Sequence, residues 1–338
     1  MNIYDIANMA GVSIATVSRV INGSDKVTDK TKQKVMRVIE DVGYTPNIFA
    51  QGIIAGSIRT VGILVPSLSD LYANEALYHI GNNLNNFGYT CILSCCGLNL
   101  NSKKVHMDML LSRHIDALIL IGSTFSENDR INEAGYIIEA SKKVPVFLVN
   151  AYVHGDNIHS FVCDDFRAIF DNTIALIESG YDRPVFITDS ETYSAEQKMK
   201  GFLAACNKKD LDPSAFKVIH TKSSIKSVIL NLKKLSYDLN AVVCADDILA
   251  IGAVKYANSV NKKIPDDISV IGYNNSQLTS VCEPELTSID NKIERICKEL
   301  VDMLMKVLAS PSEITKNKIV IPCTLVERKT TSFRKSQI

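Results

Sequence analysis

The sequence has no surplus charge of either sign: 37 Lys and Arg stand against 37 Asp and Glu in 338 residues. That balance excludes a protein that coats nucleic acid by charge alone, while leaving room for a site-specific binder with a local positive surface. No apolar run approaches the roughly 20 residues of a membrane-spanning helix. The N-terminus reads as paired helices rather than a signal peptide, so a cytoplasmic, nucleoid-associated setting without membrane contact is expected. The nine cysteines form no CxxC pair and no Cys/His zinc spacing. An odd number without a disulfide-like framework fits a reducing compartment, and buried free thiols are expected in runs such as TCILSCC and AVVCA. The six histidines are scattered, and P-loop, HExxH, GxSxG and strand-linked GxGxxG motifs are missing. No enzyme chemistry, metal or cofactor is expected.

What is present is an ordinary globular composition, 46% hydrophobic and 22% charged, long enough for more than one domain. Residues 3–22 carry the strongest local signal. Ile3, Ile6, Ala7 and Ala10 recur at helical spacing, Gly11 stands where a left-handed residue would end a helix, and Ser13 stands at an N-cap position. Val17, Val20 and Ile21 make a second apolar stripe, opposite Ala15, Ser18, Arg19 and Asn22. A third helix follows, with Thr28 as cap, Val35, Val38, Ile39 and Val42 as stripe and Gly43 as stop. Three short helices sharing one core, with glycine in the first turn, point to a helix-turn-helix over a plain surface hairpin. Through residue 60 there are seven basic residues (Arg19, Lys26, Lys30, Lys32, Lys34, Arg37, Arg59) against five acidic ones. One copy should therefore bind DNA weakly, and two copies are needed.

Beyond residue 60, apolar runs at 61–65, 90–94, 117–121, 146–149, 185–188, 217–220, 241–244 and 268–271 alternate with amphipathic stretches of helical length. Continuous apolar strands separated by helices predict parallel sheets covered on both faces. Two such series, roughly 61–163 and 184–290, predict two similar α/β lobes, with strands near 318–321 and 324–327 crossing between them.

The run DIANMAGVSIATVSRVINGSDKVTDKTKQKVMRVIEDVGYTPN resembles, nearly position for position, the DNA-binding head of the lactose-repressor (LacI/GalR) family of bacterial regulators. The later landmarks VGILVPSLSD, LLSRHIDALILIG, ESGYDRPVFIT, VVCADDILAIGAV, IPDDISVIGYNNS and PELTSID resemble that family's effector-binding core, so the resemblance covers essentially the whole chain. The VPSLS run and Lys198 are similar to the gluconate-repressor branch. The resemblance implies an all-α helix-turn-helix head (1–46), a hinge helix and linker (47–59), and a periplasmic-binding-protein-like effector-binding and dimerisation domain (60–338). Within the last, the lobes run roughly 60–163 and 164–290. It implies a ligand-responsive repressor that binds palindromic double-stranded operator DNA as a homodimer, with a dimer of dimers left open. The alternative is a solute receptor without DNA-binding activity, which would have no need of residues 1–55.

On that footing Ile14 and Ala15 set operator preference, since apolar side chains in the major groove meet thymine methyls or exclude a wrong base. Arg19, one turn beyond Ala15, either grips a guanine bidentately or is a solvated surface arginine. Tyr4, Ser13, Thr16, Ser18, Asn22 and Thr28 suit phosphate oxygens, although Ser13 and Thr28 serve equally well as caps. Asn47 and Ala50 fall in the hinge helix, where Ile53 takes the place of a leucine that wedges into the minor groove. Gln51 departs from a common arginine, and Gly52 would weaken an isolated helix by about 1 kcal/mol.

The effector is expected in the cleft at the C-terminal ends of the strands. Tyr72 is placed to stack on it, Thr192, Ser194 and Lys198 line it, and Asp246, Asp247 and Asn274 come after later strands. Each of the last has a plainer reading: Asp247 as a helix N-cap, Lys198 as a surface lysine, Asn274 as a turn cap. A cationic Lys198 beside an Asn274 that replaces the usual aspartate favours a sugar acid over a neutral sugar.

Overall fold

The computed structural model describes residues 1–21, 23–44, 57–126, 134–310 and 317–333. Its contacts divide the chain into two units, Met1–Arg59 and Thr60–Ile338.

In the first unit α1 (Ile3–Ala10), α2 (Ile14–Ile21) and α3 (Asp29–Asp41) close on Ile6, Ala7, Ala10, Val17, Val20 and Val35. Asn2 opens α1 with a capping box: its side chain accepts from the amides of Tyr4 and Asp5, and the Asp5 carboxylate accepts from the amide of Asn2. Gly11 ends α1 at φ 57°, the left-handed conformation that glycine adopts without a Cβ penalty. Ser13 caps α2, its Oγ accepting from Thr16 N at 3.2 Å. Thr28 departs from expectation. It precedes α3 in an extended conformation, but its hydroxyl meets Thr31 Oγ1 at 3.0 Å and bonds no helix amide.

In the second unit the strands are, in chain order, β1 (Thr60–Val65), β2 (Thr90–Cys95), β3 (Ala117–Ile121), β4 (Val146–Val149), β5 (Ile158–Cys163), β6 (Pro184–Thr188), β7 (Lys217–His220), β8 (Ala241–Cys244), β9 (Ser269–Tyr273), β10 (Ser288–Asp290), β11 (Lys318–Ile321) and β12 (Thr324–Val326). The helices are α4 (Leu71–Asn86), α5 (Leu100–Leu111), α6 (Gly135–Ser141), α7 (Asp165–Glu178), α8 (Tyr193–Lys208), α9 (Ile225–Lys233), α10 (Asp247–Ser259), α11 (Leu278–Val281) and α12 (Ile293–Ala309).

These strands form two six-stranded sheets, β11-β5-β4-β3-β1-β2 and β12-β10-β9-β8-β6-β7. The orders correspond strand for strand, so the lobes repeat one doubly wound plan. Every pairing is parallel except β10 with β12. Most inner strands are buried along their whole length, because helices cover both faces; this is why they read as unbroken apolar runs. Two strands, β5 and β10, are not announced by the apolar pattern. Polar His159, Ser160 and Ser288 break their runs, yet all three side chains are buried, with His159 stacked on Phe147.

Among the described residues the chain passes between the lobes three times: from β5 to α7, from β10 to α12, and from β11 to β12. Cys91 and Cys95 are exposed on edge strand β2, unlike the buried Cys96, Cys163, Cys206, Cys244 and Cys297. All nine thiols are free.

Candidate DNA-reading face and effector cleft

In the head, α2 turns Val17 and Val20 inward, which leaves Ser13, Ile14, Ala15 and Arg19 exposed along one side. Ile14 keeps 39% of its surface open to water, and Tyr4 of α1 keeps 62%. An apolar side chain left exposed on a helix this short has no partner in its own core, as a groove-reading residue requires. Thr16 and Ser18 are half-buried, and Ser13 is engaged as a cap. Asn22, Asn47, Ala50, Gln51, Gly52 and Ile53 lie outside the described residues.

The second unit holds a cleft of about 420 Å³, within the size range of small-molecule sites. Its wall is built from residues just past the C-terminal ends of the strands. Ser69, Asp70 and Tyr72 come after β1, Ser123 and Thr124 after β3, and Asn150 after β4. From the other lobe, Asp189, Ser190, Thr192 and Ser194 come after β6, Ala245 and Asp246 after β8, and Asn274 after β9. Of the seven expected effector residues, six line this cleft.

Asp247 does not line it. Asp246 is the N-cap of α10, accepting from Ile248 N at 2.7 Å, and Asp247 is the helix's first residue, pointed the other way. The Asp247 carboxylate accepts from Ser276 N at 2.7 Å, Ser276 Oγ at 2.8 Å and Ser288 Oγ at 2.6 Å, a fully buried network that locks the loop after β9. Both readings of Asp247, as cap and as ligand, are therefore corrected.

Lys198 is not a surface lysine. It is 7% exposed, donates to Ala245 O at 3.1 Å and lies 3.6 Å from the centroid of the Tyr273 ring. The Tyr273 hydroxyl donates to buried Asp165, whose carboxyl is pushed up by burial while Lys198 and that hydrogen bond pull it down. Asn274 is fixed at both ends of its amide: Nδ2 donates to Asp246 Oδ2 at 2.8 Å, and Oδ1 accepts from Asn291 Nδ2 at 2.9 Å. Burial raises the Asp246 carboxyl to about 6. The Tyr72 phenol is also raised by burial, its hydroxyl enclosed at the cleft wall.

The lining charge bears on the preference for a sugar acid. Among the described residues around the cleft Lys198 is the single cation, and its ammonium is already held by a carbonyl and an aromatic face. Asp70, Glu75, Asp189 and Asp246 supply four carboxylates. Burial raises the Asp70 carboxyl, and the charge of Asp189 across the cleft adds to that rise. An incoming carboxylate would meet repulsion from several sides. Asp70, Ser123, Asn150 and Asp189 are additions to the residues expected from the sequence. Each is among the first polar residues after an apolar strand (ILVP-SLSD, LILIG-ST, VFLV-N, VFIT-D), a rule that would have found all four.

Comparison with known proteins agrees with this geometry. Residues 2–47 match the model for bacterial regulatory proteins of the lacI family, and 174–331 match a periplasmic binding protein-like domain. An HTH-type transcriptional regulator of Lachnoclostridium phytofermentans is 41% identical over 336 residues, covering 98% of this chain and 100% of that protein. The chain belongs to the lacI family of bacterial regulatory proteins. It is a LacI-type transcriptional regulator with a DNA-binding domain and an effector-binding domain, which removes the solute-receptor alternative. In fold it is similar to the lac repressor dimer bound to operator and the anti-inducer ONPF (22% identity, TM-score 0.86, 98% of each chain). It is also similar to the transcriptional regulator CelR–cellobiose complex (22%, TM-score 0.70, 98% of this chain and 100% of that one). Among the described residues no helix is long and apolar enough to cross a membrane.

Proposed function

We propose that this regulator is a repressor that binds a palindromic operator as a homodimer and is controlled by a small neutral carbohydrate seated between Asp70 and Asp246. The observation that carries the effector class is the cleft wall: carboxylates, side-chain amides and hydroxyls outnumber apolar groups, and one wall holds an aromatic, Tyr72. Carboxylates and amides accept and donate to sugar hydroxyls in pairs, and an aromatic face packs against the ring's C–H side.

For the head, Ile14 and Ala15 meet base edges, Arg19 reaches a guanine, and Tyr4, Ser13, Thr16, Ser18, Asn22 and Thr28 hold phosphates. Asn47, Ala50 and Ile53 act in the hinge, with Ile53 as the minor-groove wedge. The dimer reading is supported by edge strand β2, where Cys91, Leu93 and Cys95, successive residues of one face, are exposed. An exposed apolar row on an edge strand calls for a cover, and a second copy supplies one. Effector binding changes how the lobes meet, and linkage requires that the ligand bind the two states with different affinity.

The test is a gel shift on the palindrome upstream of the gene, repeated with D-glucose, D-ribose, cellobiose and D-gluconate. Retardation altered by a neutral sugar and not by gluconate is expected. Retardation altered by gluconate alone would overturn the effector class, and no retardation of any palindrome would overturn the operator reading.

A further inference from the structure

We propose that Asn291 is the positioning residue that couples the effector cleft to the first lobe; the proposal rests on the cleft being the effector site. Asn291 lies in the crossover from β10 of the second lobe to α12 of the first. It is 2% exposed and is not among the residues that line the cleft. Its Nδ2 donates to Asn274 Oδ1 at 2.9 Å, and its Oδ1 accepts from Ile293 N, the first residue of α12, at 3.1 Å. Its carbonyl accepts from Cys163 Sγ at 3.4 Å, which ties it to the first crossover as well. Asn274 in turn donates to Asp246, whose other oxygen caps α10. A continuous hydrogen-bonded chain therefore runs from the cleft wall of one lobe to the first turn of a helix in the other.

The chain has a direction. An ionised carboxylate only accepts, so Asp246 requires Asn274 to present its nitrogen there and its oxygen to Asn291. That oxygen requires Asn291 to present its nitrogen in return, which leaves the Asn291 oxygen free to cap α12. A ligand hydroxyl that donates to Asp246, or a proton that lands on it, competes with Asn274 for the same carboxylate. The competition reorients two amides in series and ends at the α12 cap, because a buried amide left facing a like group loses its hydrogen bonds outright. α12 packs along α4, the helix that starts with Asp70 and Tyr72 on the far wall of the cleft. The relay thus returns to the cleft from the opposite side.

The experiment is hydrogen exchange on the full chain without effector, followed in residues 246–252 and 291–298. Asn291→Asp keeps an acceptor for Ile293 but sets an oxygen against Asn274 Oδ1, and exchange in both segments is expected to rise about tenfold. Asp246→Asn keeps the α10 cap but turns the cleft end of the chain into a donor. It should accelerate exchange at 291–298 in the other lobe by a similar factor. The double variant reverses both side-chain bonds, with the new amide at 246 donating to Asn274 and Asn274 donating to the new carboxylate at 291. Its exchange should return to within about threefold of the wild type. Losses that simply add in the double variant, or an Asp246→Asn protein with unchanged exchange at 291–298, would overturn the proposal and leave Asn291 a plain helix cap. Should Asn291→Asp fail to fold, Asn274→Gly removes the relay side chain while tolerating the backbone at φ 98°: faster exchange at 293–298 supports the coupling, and unchanged exchange overturns it. None of these readings uses a carbohydrate, so failure of the effector assignment and failure of the relay are seen separately.

Discussion

Ser123 of the first lobe donates a hydrogen bond of 2.9 Å to Thr192 of the second, across the cleft. A second contact flanks it: Lys318 of β11 lies 4.4 Å from the centroid of Tyr152 and 3.3 Å from the hydroxyl of Tyr193, so a first-lobe lysine reaches the first residue of α8. The lobes meet through direct polar contacts at the cleft lining itself, and any ligand that enters must work with or against them.

Replacing Ser123 tests this. Ser123→Ala deletes one cross-lobe hydrogen bond, worth about 0.5–1.5 kcal/mol. If ligand binding requires the closed arrangement, calorimetry with a sugar found active in the gel shift should show about threefold to tenfold weaker affinity. Unchanged affinity would mean that the bond plays no part in closure.

Asp246 gives a pH dependence with a definite sign. Its carboxyl is raised from 3.8 to about 6 by burial. A carboxyl raised in the folded state favours folding while protonated, so its contribution is full below about pH 4 and is lost as pH climbs through about 6. The shift corresponds to about 2–3 kcal/mol. Asp246→Asn should remove this loss, making the change in urea-unfolding stability from about pH 4 to about pH 7 more favourable than in the wild type by about 2 kcal/mol. Identical changes in the two proteins would sink the assignment.

Gly201 allows α8 to lie against α7. A Cβ there would stand well inside contact distance of the backbone oxygen of Phe166, a clash that no side-chain rotation relieves. In an exposed helix Gly→Ala adds about 1 kcal/mol of stability. Here Gly201→Ala should instead destabilise by about 2 kcal/mol, since the helices must separate. Thermal unfolding at or above the wild-type midpoint would refute the close approach.

In the head, exchanging Ile14 and Ala15 for other small or apolar residues should change which operator base pairs are preferred, with little change in binding to random DNA. Arg19→Ala should cost about 1–3 kcal/mol on the specific site and relax the preference at one base pair. Selection of bound sequences from a random pool reads both outcomes. An unaltered consensus after the Ile14 and Ala15 changes would remove them from the reading face.

Local features are legible in the sequence because local physics writes them. Gly11, Ser13 and the Val17/Val20 stripe arise from capping and helical period, and the buried strands arise from unbroken apolar runs. Asp246 and Asp247 show where that legibility stops. Two adjacent aspartates after a strand look alike, and only the fold decides that one caps a helix at the cleft while the other serves hydroxyls 29 and 41 residues away. Lys198 is visible in the sequence, but its neighbours Tyr273 and Asp165 are not, since nothing in the intervening residues signals that they converge. The sugar-acid expectation rests on Lys198 and Asn274; nothing beside those two in the sequence signals the carboxylates of Asp70 and Asp189, which other strand ends bring to the same cleft.

The three crossings between the lobes have a consequence for how the molecule is made. Neither lobe is a contiguous stretch of chain, and both sheets receive their last edge strand from the one segment 318–326. During synthesis both lobes therefore wait for the same final residues before either is complete. A chimaera that exchanges one lobe for a relative's must be joined at three seams rather than one.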